Sequence, residues 1–244
     1  MSVTAVLHSE WIKIRSVRAS FGSLLAVFAA TLAITLLVFA TVGRAEAEGG
    51  GDRVFGAFYT LNFAQIAAIA FGSTAVSSEY AGGALRISLS AVPRRGLFYA
   101  AKTAIVAAAA LVVGLAASFA TFFAGQAFLG RHAIGLGEPG ALRACIGGGI
   151  YLTLMALFAM GLTFLLRSAV AVLSLLIPFI LVVSFVVGDI AEGAAVYLPD
   201  RAGQQVLHQD PAGGLTAWAG LAVTALWTAA ALLAGWWAMN RRDA

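Results

Sequence analysis

The residues with the most chemical potential lie together between positions 77 and 102, in the stretch SSEYAGGALRISLSAVPRRGLFYAAK. It holds one acid, Glu79, four bases, Arg86, Arg94, Arg95 and Lys102, a glycine pair and a proline. Gly96 to Thr103 comes within one position of the phosphate-binding pattern G-x-x-x-x-G-K-[ST]. That pattern works because glycine backbone amides close around phosphate oxygens while the lysine bridges the outer phosphates. Here Ala101 replaces the second glycine, Leu97, Phe98 and Tyr99 crowd the middle, and an apolar run follows. A nucleotide site is therefore not expected, and Lys102 reads as a cation at a membrane boundary. Other catalytic inventories are thin. His8, His132 and His208 are scattered, and neither a His-Glu-x-x-His pattern nor a paired-carboxylate or Ser–His arrangement occurs in an apolar segment. The expectation is a chain that is not an enzyme and holds no cofactor or metal of its own.

The elements around this stretch are dictated by hydropathy. The chain has 244 residues, 61% hydrophobic and 11% charged, with mean hydropathy +0.93. Soluble domains carry about 25% charged residues. Uncharged runs cover 19–43, 54–78, 103–130, 144–166, 168–188 and 211–240. Each reaches the roughly 20 residues a helix needs to cross hydrocarbon. The runs are continuous in Ala, Leu, Val and Phe rather than alternating, which favours helices over barrel strands. The fold class expected is an all-α integral membrane protein, one transmembrane domain over 1–244. Its six spans are placed near 19–43, 54–77, 102–129, 144–166, 168–188 and 215–239. The first run is too long for a cleaved leader, although Ala45-Glu46-Ala47 resembles a cleavage site. Cys145 is the only cysteine, so no intramolecular disulfide forms.

Six spans put both termini on one side. That side gathers ten of the fifteen Lys and Arg residues and only three acids, so the positive-inside rule makes it cytoplasmic. The basic balance is thus a topology signal, and no nucleic-acid surface is expected. No Asp, Glu, Lys, Arg or His falls inside the six runs, which argues against coupling to protons or sodium. Neutral polar residues do occur there. Asn62 and Gln65 share a helix face and are the candidate polar face of a pathway, although interhelical hydrogen bonding is the simpler use for such groups.

Residues 3–18 read as an amphipathic surface helix, with Val3, Val6, Leu7, Trp11, Ile14 and Val17 on one arc. Trp11, Lys13 and Arg15 are its interfacial anchors, and Glu10 and Arg18 intrude on the apolar arc. In the inner loop, 78–99, Ser77 and Ser78 suit a helix start, Gly82 and Gly83 a bend, and Leu85, Leu89 and Val92 one helical face that Pro93 ends. Arg167 and Ser168 leave room only for a tight hairpin, and Pro178 predicts a kink in the fifth span. The segment 189–214 is partly apolar and reads as a re-entrant or interfacial element at the far side.

Taken in order, the basic N-terminus SEWIKIRSVRASF, the six runs, the inner-loop pattern E-x-x-G-G-x-L-x-x-x-L-x-x-x-P-R-R followed by Lys102, the segment YLPDRAGQQVL and the terminal NRRDA resemble ABC-2 type transporter permeases of actinobacterial drug- and antibiotic-export systems. The resemblance covers essentially the whole chain. It implies a permease that pairs with a second permease copy and with a separate cytoplasmic ATP-binding cassette ATPase holding ATP and Mg. The N-terminal helix would be an elbow, and the inner loop a coupling element at Glu79, Gly82, Gly83, Arg86, Pro93, Arg94 and Arg95. The function expected is export of a hydrophobic or amphipathic substrate across the cell membrane. The alternatives are a non-transporting immunity or assembly factor that docks a cytoplasmic partner, and a secondary transporter.

Overall fold

The computed structural model describes residues 2–43, 49, 51–184, 186, 192–211 and 214–241. Arg44, the tripeptide at 45–47, residues 185, 187 and 188 of the expected fifth span, residues 189–191 and 212–213 of the 189–214 segment, and Arg242 and Asp243 lie outside the described residues. Every regular element among the described residues is helical. The labels used are α1 Val3–Ser16, α2 Arg18–Thr41, α3 Arg53–Phe58, α4 Leu61–Tyr80, α5 Ala84–Ala91, α6 Arg95–Leu129, α7 Ala141–Leu166, α8 Ala169–Pro178, α9 Pro199–Gln204 and α10 Ala217–Arg241. A further single turn covers Glu192–Ala195. Four helices are long and apolar enough to cross a membrane: α2, α6 with its following turn, α7 and α10. The protein is membrane-embedded.

Local chemistry sets the ends of these helices. The Ser2 hydroxyl accepts from the Ala5 amide at 3.3 Å to cap α1, and Val17 turns extended, so α1 stops before α2 begins. Asp52 caps α3 through the Phe55 amide at 2.9 Å. Gly82 and Gly83 adopt φ of 59° and 77°, a left-handed turn that a side chain would strain, and α5 starts immediately after. Arg167, also left-handed, and Ser168, which caps α8, make the expected hairpin. Pro178 closes α8, and a π-helical segment, Phe179–Val183, follows it. Proline supplies no amide to the ladder and clashes with the preceding turn, so the register widens there.

Two expectations are corrected. The uncharged run at 54–78 is not one helix. It divides into α3 and α4 at Tyr59 and Thr60, where the buried Thr60 hydroxyl pairs with Thr35 of α2 at 2.8 Å. Nor do Ser77 and Ser78 begin a helix, because α4 continues through them to Tyr80, with Ala75, Val76 and Glu79 all buried. The helix expected between the second and third apolar runs forms as Ala84–Ala91 with Leu85 buried, and α6 then starts at Arg95, well before residue 102.

Helix α7 is the hub, packed against α4, α6 and α10. Two close approaches depend on glycine. A Cβ on Gly72 of α4 would collide with the Ala156 carbonyl of α7, and one on Gly235 of α10 would stand 2.6 Å from the Gly161 carbonyl oxygen. Pair positions give the directions. Ser23–Thr74 at 3.0 Å and Thr35–Thr60 at 2.8 Å run α2 antiparallel to α4 along most of its length. Gly72 against Ala156 and Tyr151 bonded to Gln65 run α4 parallel to α7. Thr228 bonded to the Leu154 carbonyl at 3.1 Å and Gly235 against Gly161 do the same for α10. Between Leu166 and Ala217 the chain therefore returns the length of the bundle, and α8 lies on that return.

Candidate functional site

Four charged side chains meet where α1, α4, α5 and α6 converge. Lys102 of α6, 1% exposed, lies 2.6 Å from Glu79 Oε1 of α4 and 2.5 Å from Glu10 Oε2 of α1. Lys13 of α1 donates to Glu10 Oε1 at 2.8 Å, to Glu79 Oε1 at 3.0 Å and to Ser88 Oγ of α5 at 2.9 Å. Ser88 in turn donates to Glu79 Oε2 at 2.9 Å. The buried Phe98 ring lies under both ammonium groups, 5.3 Å from Lys13 Nζ and 5.9 Å from Lys102 Nζ. Two acids and two bases balance, as they must when ions leave water.

Each member is aimed by its helix. Val6, Glu10 and Ile14 fall at four-residue steps and form the buried stripe of α1, so Glu10 is delivered inward by the same face that buries the valine and isoleucine. Glu79 sits in the last turn of α4, held there because that helix runs on to the left-handed glycines. Ser88 is one turn beyond the buried Leu85 of α5. Burial by itself would lower the pKa of Lys13. Hydrogen bonding and attraction from Glu10 and Glu79 outweigh it and hold the ammonium above its ordinary value. The arrangement is an ionic tie binding four helices. Among the described residues no group of three or more His, Cys, Asp or Glu is placed to hold a metal.

The residues expected at a coupling surface divide into three sets. Glu79 faces inward into the tie. Gly82, Gly83, Arg86, Pro93 and Arg94 are exposed around α5. Arg95 turns to the end of α10, its guanidinium donating to the Met239 carbonyl at 2.9 Å, where a cation complements the helix dipole. Of the α1 anchors, Trp11 and Arg15 are exposed while Lys13 joins the tie. Gln65 is 2% exposed; its carbonyl oxygen accepts from the Tyr151 hydroxyl, which also accepts from Gln204 at 3.3 Å. Asn62, half-buried, gives Gln65 its backbone carbonyl at 2.9 Å, so in this conformation Gln65 is committed to interhelical bonding. Sequence reasoning missed Glu10, Ser88 and Phe98 and set Lys102 at a boundary. The intrusion of Glu10 on the apolar arc was the available signal.

At the opposite end the segment after α9 is sewn down. Asp52 Oδ2 accepts from the Gln209 amide at 2.9 Å and lies 3.3 Å from His208 Nδ1. The His208 ring stacks on Phe55 with centroids 4.0 Å apart, and Arg143 donates to the His208 and Gln209 carbonyls at 2.5 and 3.1 Å. Burial holds the His208 pKa below its ordinary value, although Asp52 pulls it upward. Val206 and Leu207 are fully buried beneath this seam. Comparison with protein-family models, with curated proteins and with solved structures finds no match for this chain.

Proposed function

We propose that the chain is the membrane-spanning permease subunit of an ATP-binding cassette exporter, without an ATPase site of its own. It would cross the cell membrane six times with both termini cytoplasmic, pair with a second permease copy, and draw on ATP and Mg held by a separate cytoplasmic subunit. The six passes are supported by helix direction: α4 runs antiparallel to α2 along its length, and α8 lies on the return from α7 to the start of the parallel α10. The observation that carries the coupling role is α5. It presents Arg86 and Ile87, the latter 71% exposed, on its outer face, while Ser88 on its inner face is tied to Glu79 and Lys13. A push on that outer face would pass through the tie into α1, α4 and α6 together. Glu79 is then a positioning residue, and Arg86 and Arg94 are the partner contacts.

The test is co-purification of the tagged chain from its native membrane, with ATP hydrolysis and efflux of a hydrophobic dye measured in parallel. A phosphate-loop ATPase should accompany the wild type, and Arg86→Glu with Arg94→Glu should abolish its recovery and the ATP-linked efflux. Recovery of no such ATPase, or recovery and efflux unchanged in the double variant, overturns the reading.

One observation favours a second reading, a secondary transporter. Lys102 lies inside a helix apolar enough to span, paired with two buried carboxylates, and such groups carry coupling ions in transporters. Dye movement driven by a proton or sodium gradient in ATP-free vesicles would select it.

A further inference from the structure

Helix α9 is seated at backbone contact on α7 and α10. Its residues Pro199, Asp200, Ala202 and Gly203 are all buried. The Thr224 hydroxyl of α10 donates to the Pro199 carbonyl at 2.8 Å, and a Cβ on Gly220 of α10 would collide with the Ala202 carbonyl oxygen. A Cβ on Gly203 would collide with the Tyr151 ring of α7. Gln204 donates to the Tyr151 hydroxyl at 3.3 Å, and that hydroxyl bonds to Gln65 of α4.

This seat holds a carboxyl. Asp200 is 3% exposed, and its Oδ2 lies 2.6 Å from Oγ of Ser184, itself 1% exposed. Its Oδ1 has less than 1 Å² of accessible surface and, among the described residues, no hydrogen-bond partner. A carboxylate ionised in that setting leaves one oxygen's charge unmatched away from water, and buried groups so placed take up a proton instead. The neutral acid fits the geometry. Its Oδ2–H donates to Ser184 Oγ, which accepts as well as donates, and what is left over is an uncharged carbonyl oxygen. An oxygen so enclosed admits no ion or small molecule in this conformation, whereas a proton needs no room. The titratable or charged groups that act on the carboxyl are Tyr151 of α7 and Arg201 of α9 itself. Helix α10 meets α9 through Gly220 and Thr224, which are uncharged. Burial raises the Asp200 pKa above its ordinary value against the pull of Ser184, the Asp200 and Arg201 amides and the Arg201 charge.

We propose that Asp200 is a proton-binding site that latches α9: its carboxyl carries a proton while α9 is seated and gives it up when α9 lifts into water. On lifting, the Oδ2–H bond breaks, the proton passes to water, and the carboxylate left behind is hydrated. Lifting and proton release are therefore linked. Above the ordinary aspartate value near 3.9, rising pH favours the lifted state tenfold per unit until it reaches the value of the seated group. The site stands on the seating of α9 and not on ATP-driven export, so failure of an ATPase to associate leaves it untouched.

The experiment uses the full chain in lipid nanodiscs, as wild type and as Asp200→Asn, with infrared spectroscopy and hydrogen exchange. At pH 7 the wild type should show a carboxylic-acid carbonyl band that shifts when aspartate is isotopically labelled and is missing from Asp200→Asn. Exchange over residues 199–207, corrected for the intrinsic rate, reads the lifting equilibrium. Between pH 5 and 8 it should rise in the wild type, by up to tenfold per unit, and stay flat in Asp200→Asn. The asparagine amide keeps the shape of the acid and a donor toward Ser184 but has no proton to release, so this variant should fold as the wild type does. A labelled carboxylate band in place of the acid band overturns the proposal. So does wild-type exchange that parallels the variant's across that range, or failure of Asp200→Asn to fold.

Discussion

Lys102 is the residue on which the charged end of the molecule turns. It is buried to 1% exposure and faces Glu10 and Glu79 at 2.5 and 2.6 Å. Replacing it with methionine keeps the volume and leaves two buried carboxylates to share Lys13. Breaking a buried pair in this way costs about 3–5 kcal/mol. Lys102→Met is thus expected to lower the thermal unfolding temperature in detergent sharply. Adding Glu10→Gln to it restores charge balance and should recover much of the loss. Lys13 behaves differently, because its side chain is 34% exposed and water shares the role of its partners. Its pKa is raised, so the stability it contributes is fully present below the ordinary lysine value near 10.4 and is lost only as pH rises through the higher folded value. Wild type minus Lys13→Ala should therefore be a flat difference in stability between pH 6 and 9. A difference that falls within that range would show that the ammonium is not held as described.

At the scale of elements, how closely two helices approach is decided by single glycines. Gly161 of α7 faces the α10 backbone, where a Cβ would stand 2.5 Å from the Ala231 carbonyl carbon. Backbone cannot swing aside as a long side chain can, so Gly161→Ala is expected to destabilise by about 1–3 kcal/mol through overpacking. Gly22 of α2 meets nothing within 4 Å. There alanine only removes backbone freedom, and Gly22→Ala should stabilise by about 0.5–1 kcal/mol. Opposite shifts in unfolding temperature from the same chemical change check the packing directly. These elements also show what the sequence made legible. Pro93 and the left-handed pair Gly82 and Gly83 bracket α5 because backbone rules act locally, and Arg167 with Ser168 make the hairpin for the same reason. The split at Thr60 escaped notice because it is compensated 25 residues away by Thr35. The tie escaped because Glu10 and Lys102 are joined only in space. Hydropathy, counting charges as breaks between apolar runs, assigns both to boundaries. Only the four-residue step from Val6 to Glu10 to Ile14 carried a trace of it.

Taken as a whole, the molecule has two unlike ends, a charged tie at one and a segment sewn down against α3 at the other, and helix direction decides what separates them. If only the four most apolar helices crossed the membrane, the chain from the end of α2 to the start of α6 would stay on one side, and Ser16 and Ala91 would lie on opposite faces. If α4 also crosses, they share a face. The hydrogen bond from Lys13 to Ser88 at 2.9 Å holds those two neighbourhoods together, and the antiparallel pairing of α2 with α4 carries the chain back across the same thickness. The expectation is tested by single cysteines. Cys145 is buried in α7 and gives way to alanine as a background. Ser16→Cys, Ala91→Cys and Gly137→Cys each place a thiol at an exposed position. A membrane-impermeant maleimide applied to oriented vesicles should modify the cysteines at 16 and 91 from one face only, the cytoplasmic one by the distribution of lysine and arginine. The cysteine at 137 should react only from the other face. Modification of 16 and 91 from opposite faces would remove α4 as a span and, with it, the six-pass permease.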